Sequence, residues 1–250
     1  MSTAVETPNP DLVLRTRDLV AGYVPDIDIL NGVSVDVWRG QVRVVLGPNG
    51  TGKSTLLKVI FGFLRARRGS VRMGEQELVN VPPHSMGDYG IAYLPQRPSL
   101  FPFLSVDTNL RLGTWRFRRN RAEVRRRIEE ALEQFPILRD RRSQAAGTMS
   151  GGQQRQLEIA RSLMTNPSVL LMDEPTASIE PRITGQIYAL IAELARTGRA
   201  VLLVDQNIKG ALGIADYVYV LRTGALFDEG PRAAFDEEVE ALVARWLYTR

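Results

Sequence analysis

The stretch Gly47-Pro48-Asn49-Gly50-Thr51-Gly52-Lys53-Ser54-Thr55 decides the fold of this chain. A short and mostly apolar run, Val42 to Leu46, precedes it, and a helical pattern, Thr51 to Leu64, follows it. The pattern Gly-x-x-x-x-Gly-Lys-Ser/Thr between a strand and a helix is typical of a phosphate-binding loop. Its defining positions are occupied here by Gly47, Gly52, Lys53 and Ser54. The alternative is a glycine-rich turn that matches the pattern by chance.

Each part of this loop has a physical task in holding phosphate. Glycines allow backbone N–H groups to turn inward, and the N-terminus of the following helix adds unpaired donors and a favourable dipole. We expect Lys53 to contact the β- and γ-phosphates of a nucleotide and Ser54 to ligate Mg²⁺. The loop alone does not distinguish kinases, GTPases and transport ATPases.

Two acidic residues follow a second apolar strand, Val169 to Met172. Asp173 is suited to hold Mg²⁺, directly or through water. Glu174 lies on the opposite side of the pleat, where it can orient or deprotonate an attacking water. Hydrolysis of a phosphate anhydride needs both tasks. The alternative is an Asp-Glu pair that merely begins a polar loop.

Further apolar segments alternate with helices along the second half of the chain. Buried strands are predicted at Ala200 to Val204 and Tyr217 to Leu221, and a helix begins at Pro181 and is closed by Gly198. The apolar face of that helix consists of Ile183, Ile187, Leu190, Ile191 and Leu194. This alternation predicts a parallel sheet covered on both faces. A strand with one buried face is predicted nearer the start, from the alternation of Val33, Val35 and Val37.

The pattern also divides the chain into a main domain and smaller parts. Residues 1–11 read as a polar tail, and residues 231–250 as a terminal helical segment. Residues 97–147 are arginine-rich and helical in pattern, with no clear strand. We expect them to form a helical lobe inserted in the main domain.

The amino-acid composition excludes several classes of protein. The 250 residues are 44% hydrophobic and 24% charged, which is typical of a globular protein. Cysteine is absent, which rules out disulfides and thiolate metal sites and favours an intracellular setting. The single histidine, His84, is expected to be structural or exposed. The first residues lack a secretory pattern, and no apolar run approaches the roughly 18 residues that a membrane-spanning helix needs.

The chain has a net charge of +4, and much of its excess of basic residues lies in one arginine cluster between residues 116 and 127. Glutamates are interleaved with these arginines at helical spacing, which is typical of a solvated face whose charges pair with one another. A contact surface for a partner or for nucleic acid is the alternative.

Thr148-Met149-Ser150-Gly151-Gly152-Gln153 resembles the signature peptide of ATP-binding-cassette ATPases. The phosphate loop before it and Asp173-Glu174 after it match that family in order and spacing, over about residues 12 to 230. From the residues alone, Ser-Gly-Gly-Gln could also be a turn that caps a helix starting near Gln153.

The resemblance implies a fold and two bound species. The fold is an α/β phosphate-loop NTPase with a parallel-sheet core, an N-terminal antiparallel β part and an inserted helical lobe. The core would comprise residues 12–96 and 148–230, with the lobe at about 97–147. The bound species are ATP and Mg²⁺, with the whole loop from Gly47 to Thr55 in contact with ATP.

The resemblance also assigns roles to single residues. Tyr23 matches the aromatic residue that stacks on adenine, unless it is an ordinary strand tyrosine. Gln96 matches the glutamine that contacts Mg²⁺ and the attacking water, unless it is a loop glutamine without a role. The signature residues would bind the ATP of the opposite subunit, and these are Ser150, Gly151, Gly152 and Gln153.

Two positions depart from the family pattern. Glu180 stands where an aspartate is commoner, in the loop expected to contact the other subunit. Gln206 stands where most members have a histidine that contacts the γ-phosphate. A glutamine can donate a hydrogen bond there but cannot become charged, so hydrolysis would lack a histidine-dependent step.

Several short peptides are similar to the ATPase subunits of branched-chain amino-acid uptake systems and their urea and short-amide relatives. They are residues 81–84, 100–106, 135–138 and 215–221, together with Gln206. This resemblance implies transmembrane permease subunits, a second ATPase in a heterodimer or homodimer, an extracytoplasmic binding protein and a position at the cytoplasmic face of the membrane. One alternative is a soluble cassette ATPase that acts on nucleic acid or the ribosome. Another is a regulator that has lost hydrolysis.

Overall fold

The computed structural model describes residues 11–236 together with residues 241 and 244. The expected polar tail, 1–11, therefore lies outside the described residues except for its last position. Most of the expected C-terminal helical segment, 231–250, also lies outside them. Its first residues are described, and they form a strand end at Pro231 and a 3-10 turn at Arg232–Phe235.

The described strands form two sheets. Their bounds are β1 Leu12–Ala21, β2 Leu30–Val33, β3 Asp36–Trp38, β4 Val42–Leu46, β5 Arg68–Met73, β6 Gln76–Glu77, β7 Ile91–Leu94, β8 Val169–Asp173, β9 Ala200–Val204, β10 Tyr217–Arg222 and β11 Ala225–Pro231. The larger sheet has the order β11-β10-β4-β9-β8-β7, and all its pairs are parallel except that of β10 with β11. The smaller sheet has the order β2-β1-β5-β6, with β3 also paired to β1, and it is antiparallel throughout. The expected α/β class with an antiparallel part is confirmed.

Eight α-helices cover the described sheets or form the lobe beside them. Their bounds are α1 Lys53–Ile60, α2 Pro83–Met86, α3 Val106–Gly113, α4 Arg121–Gln134, α5 Pro136–Arg139, α6 Gly151–Leu163, α7 Pro181–Arg196 and α8 Ile208–Leu212. The first helix of the lobe, α3, packs against α6. Between β7 and β8 the described residues contain helices and turns but no strand, as the pattern of residues 97–147 predicts.

The central strands are apolar because both faces of the larger sheet are buried. All five residues of β4 are buried, and alternate residues belong to different cores. Val44 and Leu46 lie in the core that includes the lobe, whereas Val45 lies in the core shared with the smaller sheet. A strand that is covered on both sides can therefore be apolar at every position where its side chain meets a helix or a second sheet.

Two predicted elements have different bounds in the structure. The single strand expected over Val33, Val35 and Val37 is two strands, β2 and β3, although all three valines are buried. Val35 N donates to the hydroxyl of Thr16 at 2.9 Å, so a side chain replaces the backbone partner at the break. The helix expected over residues 51–64 is α1 alone, because Gly52 (φ 100°) and Gly62 (φ 81°) have left-handed backbones.

Other expectations hold closely. The helix α7 begins at Pro181, and Gly198 (φ 93°) follows its end. Part of the arginine cluster pairs with glutamates of its own helix, since Arg126 and Arg127 contact Glu123 at 2.6 and 2.7 Å. Within residues 11–236, no helix is long and apolar enough to cross a membrane.

Candidate functional site

The loop between β4 and α1 wraps around its own lysine. Its backbone is possible only with glycine at two points: a Cβ on Gly47 would collide with the carbonyl of Leu221, and one on Gly52 with the side chain of Leu30. The ammonium of Lys53 lies inside the loop and donates to the carbonyls of Gly47 and Pro48 at 2.8 and 2.9 Å. The loop is therefore already folded around a buried cation.

The electrostatic surroundings of Lys53 are mixed. Burial lowers the pKa of its ammonium, while the nearby carboxylates of Glu174, Asp173 and Asp205 act in the opposite direction. An anion that entered the loop would favour the charged ammonium further, because opposite charges at short range stabilise one another in a poorly solvated site.

The loop and the acid pair meet at one hydrogen bond. The hydroxyl of Ser54, at the start of α1, donates to Asp173 Oδ1 at 2.8 Å, and Tyr93 OH donates to Asp173 Oδ2 at 3.0 Å. Burial raises the pKa of Asp173, and these two hydrogen bonds oppose that shift. The structure thus brings together Ser54 and Asp173, two of the three residues expected to hold Mg²⁺, while the third, Gln96, contacts Glu174.

Both oxygens of Glu174 are held by glutamine side chains. Gln96 Nε2 donates to Glu174 Oε2 at 2.5 Å, and Gln206 Nε2 donates to Glu174 Oε1 at 2.7 Å. Glu174 is only 5% exposed and has a left-handed backbone (φ 46°), a conformation that costs about 1–3 kcal/mol for a residue with a side chain. Such strain is retained where the surrounding structure fixes one orientation of a side chain, and here that orientation points the carboxylate at Gln96 and Gln206.

A second buried carboxylate supports the segment that carries Gln206. Asp205 accepts hydrogen bonds from Thr176 Oγ1 at 2.9 Å and from the backbone N–H of Asn207 at 3.0 Å. Burial raises its pKa. Thr176 also contacts the hydroxyl of Tyr188 on α7 at 3.2 Å. This network ties the segment after β9 to the segment after β8.

Tyr23 lies in a bend after β1, not in a strand, and 56% of it is exposed. Its hydroxyl is 3.5 Å from Thr55 Oγ1 and accepts a hydrogen bond from Lys58 Nζ at 3.3 Å. The ring therefore lies beside α1 with a large part of its surface open. The alternative of an ordinary strand tyrosine is wrong.

The signature residues lie at the start of α6, which begins at Gly151, two residues before Gln153, so the expected helix near Gln153 is present. Ser150 caps it, and Ser150 and Gln153 hydrogen-bond each other's backbone N–H at 3.4 and 3.1 Å. The two glycines differ, because a Cβ on Gly152 would collide with Ile183 whereas one on Gly151 would meet nothing within 4 Å. In the described part of the chain, no hydrogen bond or ion pair joins this exposed turn to the phosphate loop.

A cleft of about 500 Å³ opens beside Glu174. Its walls come from the segments after β7, β8 and β9, and they include Gln96, Glu174, Ser178, Asp205 and Gln206. The unusual Glu180 is exposed and directly precedes α7. His84 is exposed on the one-turn helix α2.

Sequence analysis missed a buried ion pair behind Gln96. Arg155 and Glu158 on α6 lie 2.8 Å apart, and their side chains are 5% and 3% exposed. Arg155 also donates to the carbonyls of Pro95 and Gln96 at 3.0 and 3.1 Å. The spacing of the pair on a helix was visible in the sequence, but its burial against the Gln96 segment was not. Tyr93 was missed for the same reason, since its partner Asp173 is 80 positions away.

Comparisons with family models, curated proteins and solved structures all find ATP-binding proteins of transporters. Residues 30–177 match the family model described as ABC transporter. The "Probable branched-chain amino acid transport ATP-binding protein LivF" of Archaeoglobus fulgidus is 40% identical over 87% of this chain and 92% of its own length. The "High-affinity branched-chain amino acid transport ATP-binding protein BraG" of Pseudomonas aeruginosa is 41% identical over 84% and 89%. A solved ATP-binding cassette of an ABC transporter, in its ADP conformation, is 33% identical with a TM-score of 0.79, covering 88% of this chain and 91% of that one.

Proposed function

Because the chain belongs to the ABC transporter family and hydrolyses ATP as such subunits do, we propose that it energises an importer for branched-chain amino acids or a related small polar solute. One observation carries the site assignment: the hydrogen bond of 2.8 Å between Ser54 and Asp173. It joins the phosphate loop to the strand end that bears Glu174. The names of the most similar relatives support the class of solute.

The phosphate loop and Tyr23 form the ATP site in this proposal. Backbone N–H groups from Gly47 to Thr55 and the ammonium of Lys53 bind the phosphates, with the N-terminus of α1 adding its dipole. The open ring beside α1 gives the adenine a surface on which to stack. Lys53 would exchange its two carbonyl partners in the loop for phosphate oxygens.

Ser54, Asp173 and Gln96 would hold Mg²⁺. The fit rests on the donor set, since a hydroxyl and a carboxylate already lie 2.8 Å apart. Within the described residues no group of three or more His, Cys, Asp or Glu side chains could hold a metal ion. The ion would therefore be bound by this hydroxyl, one carboxylate and one amide together with substrate phosphates. When bound, the ion neutralises charge on the phosphates.

Glu174 would serve as the general base. Its carboxylate accepts a proton from the attacking water, while Gln206 donates a neutral hydrogen bond toward the γ-phosphate. The present contacts of Gln96 and Gln206 with Glu174 hold both carboxylate oxygens in place before ATP arrives. An intact Lys53, Asp173 and Glu174 argue against a regulator that has lost hydrolysis.

The complete catalytic unit would be a sandwich of two cassettes. One chain surrounds ATP from the loop side only, and its own signature turn makes no hydrogen bond or ion pair with that loop in the described residues. Ser150, Gly151, Gly152 and Gln153 would therefore bind the ATP of the other subunit, where the exposed N-terminus of α6 favours an anion. A heterodimer with a second cassette ATPase is proposed for the cell, and a purified chain could pair with itself.

The partners would be transmembrane permease subunits and, indirectly, an extracytoplasmic binding protein, with this chain at the cytoplasmic face of the membrane. The alternative of an ATPase that acts on nucleic acid or the ribosome finds no support among the relatives, which are named as transport proteins. The two ideas differ in what stimulates hydrolysis. Permease subunits with a solute-loaded binding protein should stimulate it, and nucleic acid should not.

The decisive test of the site replaces Glu174 with glutamine. Binding of ATP should be retained, whereas turnover should fall by about 10²-fold or more, the range for loss of a general base. Glu193→Gln, on the exposed side of α7, is a matched control and should keep the parental rate. Near-parental turnover of Glu174→Gln would refute the assignment.

The same variant tests the sandwich. With ATP, Glu174→Gln should form a dimer by light scattering, alone or mixed with its partner ATPase. Ser150→Arg should abolish this dimer and the hydrolysis, because a bulky cation would fill the place of the clamp. Glu75→Arg, in an exposed turn of the smaller sheet, should do neither. A chain that stays monomeric under both conditions would contradict the sandwich.

A further inference from the structure

A second concave surface lies in the helical lobe, away from the nucleotide cleft. It is a groove of about 570 Å³ between α3, the 3-10 turn Trp115–Phe117 and α4. None of its lining residues takes part in the ATP site described above. The groove therefore needs an explanation of its own.

The floor of this groove is apolar. Val124 and Ile128 on α4 are 6% and 1% exposed, and Leu112 on α3 is half-buried beside them. At the edge, Trp115 keeps 63% of its surface exposed. A large aromatic ring left open beside an apolar floor is typical of a surface that meets another molecule.

The rim is strongly cationic. Five arginines line the groove against a single glutamate, Glu129. That glutamate and the nearby Asp107 are engaged by Arg142 and Arg111 at 2.7 to 3.1 Å. Three arginines remain, and in the described part of the chain no carboxylate forms an ion pair with them: Arg118, Arg121 and Arg125.

These three side chains are exposed, and Arg118 lies over the ring of Trp115 at 5.1 Å. They contrast with Arg126 and Arg127 of the same helix, whose charges are met by Glu123. The self-paired face expected from the sequence thus covers one side of α4 only. The other side presents unneutralised guanidinium groups above an apolar floor.

We propose that this groove binds the headgroup region of anionic phospholipids in a bilayer. A phosphodiester matches the forked donors of arginine, and the first carbons of an acyl chain match the floor. Exposed tryptophan and clustered arginine are the residues that proteins place at the membrane interface. Nucleic acid would use the cations but leave the apolar floor without a partner.

The test uses the full chain and vesicles without ATP, so its result does not depend on the proposed transport activity. The protein should float with vesicles that contain phosphatidylglycerol and remain behind with vesicles of phosphatidylcholine alone. Replacement of Arg118, Arg121 and Arg125 by glutamine should weaken binding on the order of a hundredfold, from the contribution of each cation near an anionic surface. A matched control replaces three exposed arginines elsewhere, Arg39, Arg68 and Arg196, with the same change in net charge.

Fluorescence provides a second readout that reports on the groove itself. The chain has three tryptophans, so Trp38→Phe and Trp246→Phe leave Trp115 alone. Its emission should shift to shorter wavelength with phosphatidylglycerol vesicles only. Unchanged basal ATP hydrolysis should show that each variant is folded.

Three results would overturn the proposal. One is no binding to either vesicle, and another is equal weakening in the groove variant and the control variant. The third is tighter, groove-dependent binding of a DNA duplex or a polyglutamate peptide than of vesicles, which would assign the groove to another class of partner.

Discussion

Replacing Arg155 with methionine should destabilise the protein far more than its position outside the ATP site suggests. The change keeps most of the side-chain volume but removes a guanidinium that is 5% exposed. Glu158, 3% exposed, would lose its partner at 2.8 Å. The carbonyls of Pro95 and Gln96 would each lose a donor at 3.0 and 3.1 Å.

The expected loss in the free energy of unfolding follows from the burial of Arg155 and Glu158. Removing one member of a buried ion pair costs about 3–5 kcal/mol, because the other charge stays buried without its counter-ion. Glu158 keeps hydrogen bonds from the backbone N–H and the hydroxyl of Ser99, so this range is the upper limit of the expected loss. For a chain of this size that corresponds to a fall in Tm of about 6 to 20 °C. Replacing both residues with methionine should restore part of the loss, since no lone charge is then buried, although the carbonyls of Pro95 and Gln96 still lack their donors.

Thermal or urea unfolding of the parent, the two single variants and the double variant measures this coupling directly. Arg126→Met is the control, because that arginine is 54% exposed and ion pairs between exposed side chains contribute little to stability. ATP hydrolysis should show the positioning role, with kcat reduced in Arg155→Met and KM for ATP near the parental value, since Gln96 rather than the phosphate loop is displaced. A loss of stability equal to that of Arg126→Met would refute the reasoning.

Three further predictions concern the ATP site. Lys53→Ala should weaken ATP binding itself, because the only ammonium inside the loop is removed; isothermal titration with an unchanged affinity would contradict the phosphate-loop assignment. Tyr23→Ala should raise KM for ATP while Tyr23→Phe is tolerated, and GTP should also be used because stacking discriminates bases poorly; steady-state kinetics with equal KM for both variants would remove Tyr23 from the site. Gln206→His should give turnover an inflection around pH 6 to 7 that the parent lacks, because imidazole titrates there and an amide does not; superimposable pH profiles would count against a γ-phosphate contact.

The parts of the site that could be predicted from the sequence are those whose functional residues are neighbours in the chain. The phosphate loop and Asp173-Glu174 each occupy one continuous stretch, and the flanking strands β4 and β8 are apolar enough to recognise. The hydroxyl of Tyr93 and the Arg155–Glu158 pair act across 80 and about 60 positions of sequence, so only the fold brings them to the site. Their residue types carried no signal, since a tyrosine on a strand and an arginine on a helix are ordinary.

The wrong bounds predicted for the strand over Val33 to Val37 and for the first helix each have a specific structural cause. The backbone N–H of Val35 donates to the hydroxyl of Thr16 instead of to a backbone carbonyl, which separates β2 from β3. The alternation of valines in the sequence gives no information about this side chain from another strand. Gly52 and Gly62 have left-handed backbones and therefore limit α1 at its two ends. The spacing of apolar residues, on which the predicted helix rests, does not report backbone conformation at glycine. The segment after β1 that carries Tyr23 has no periodicity, and its position depends on contacts with Thr55 and Lys58.

The two glycines at the start of α6, Gly151 and Gly152, are under different steric constraints. A methyl group at position 152 would strike Ile183 of the same chain, so selection on that residue operates through folding whether or not a second cassette is present. A methyl group at position 151 would meet nothing within 4 Å of its own chain, so in the proposed sandwich only the other subunit and its ATP would limit the size of this residue. A library of variants sorted first for folded protein and then for ATP turnover should therefore accept alanine at 151 in the first sort and reject it in the second. The same library should lose alanine at 152 in the first sort, which makes position 151 the more direct genetic test of the proposed two-cassette sandwich.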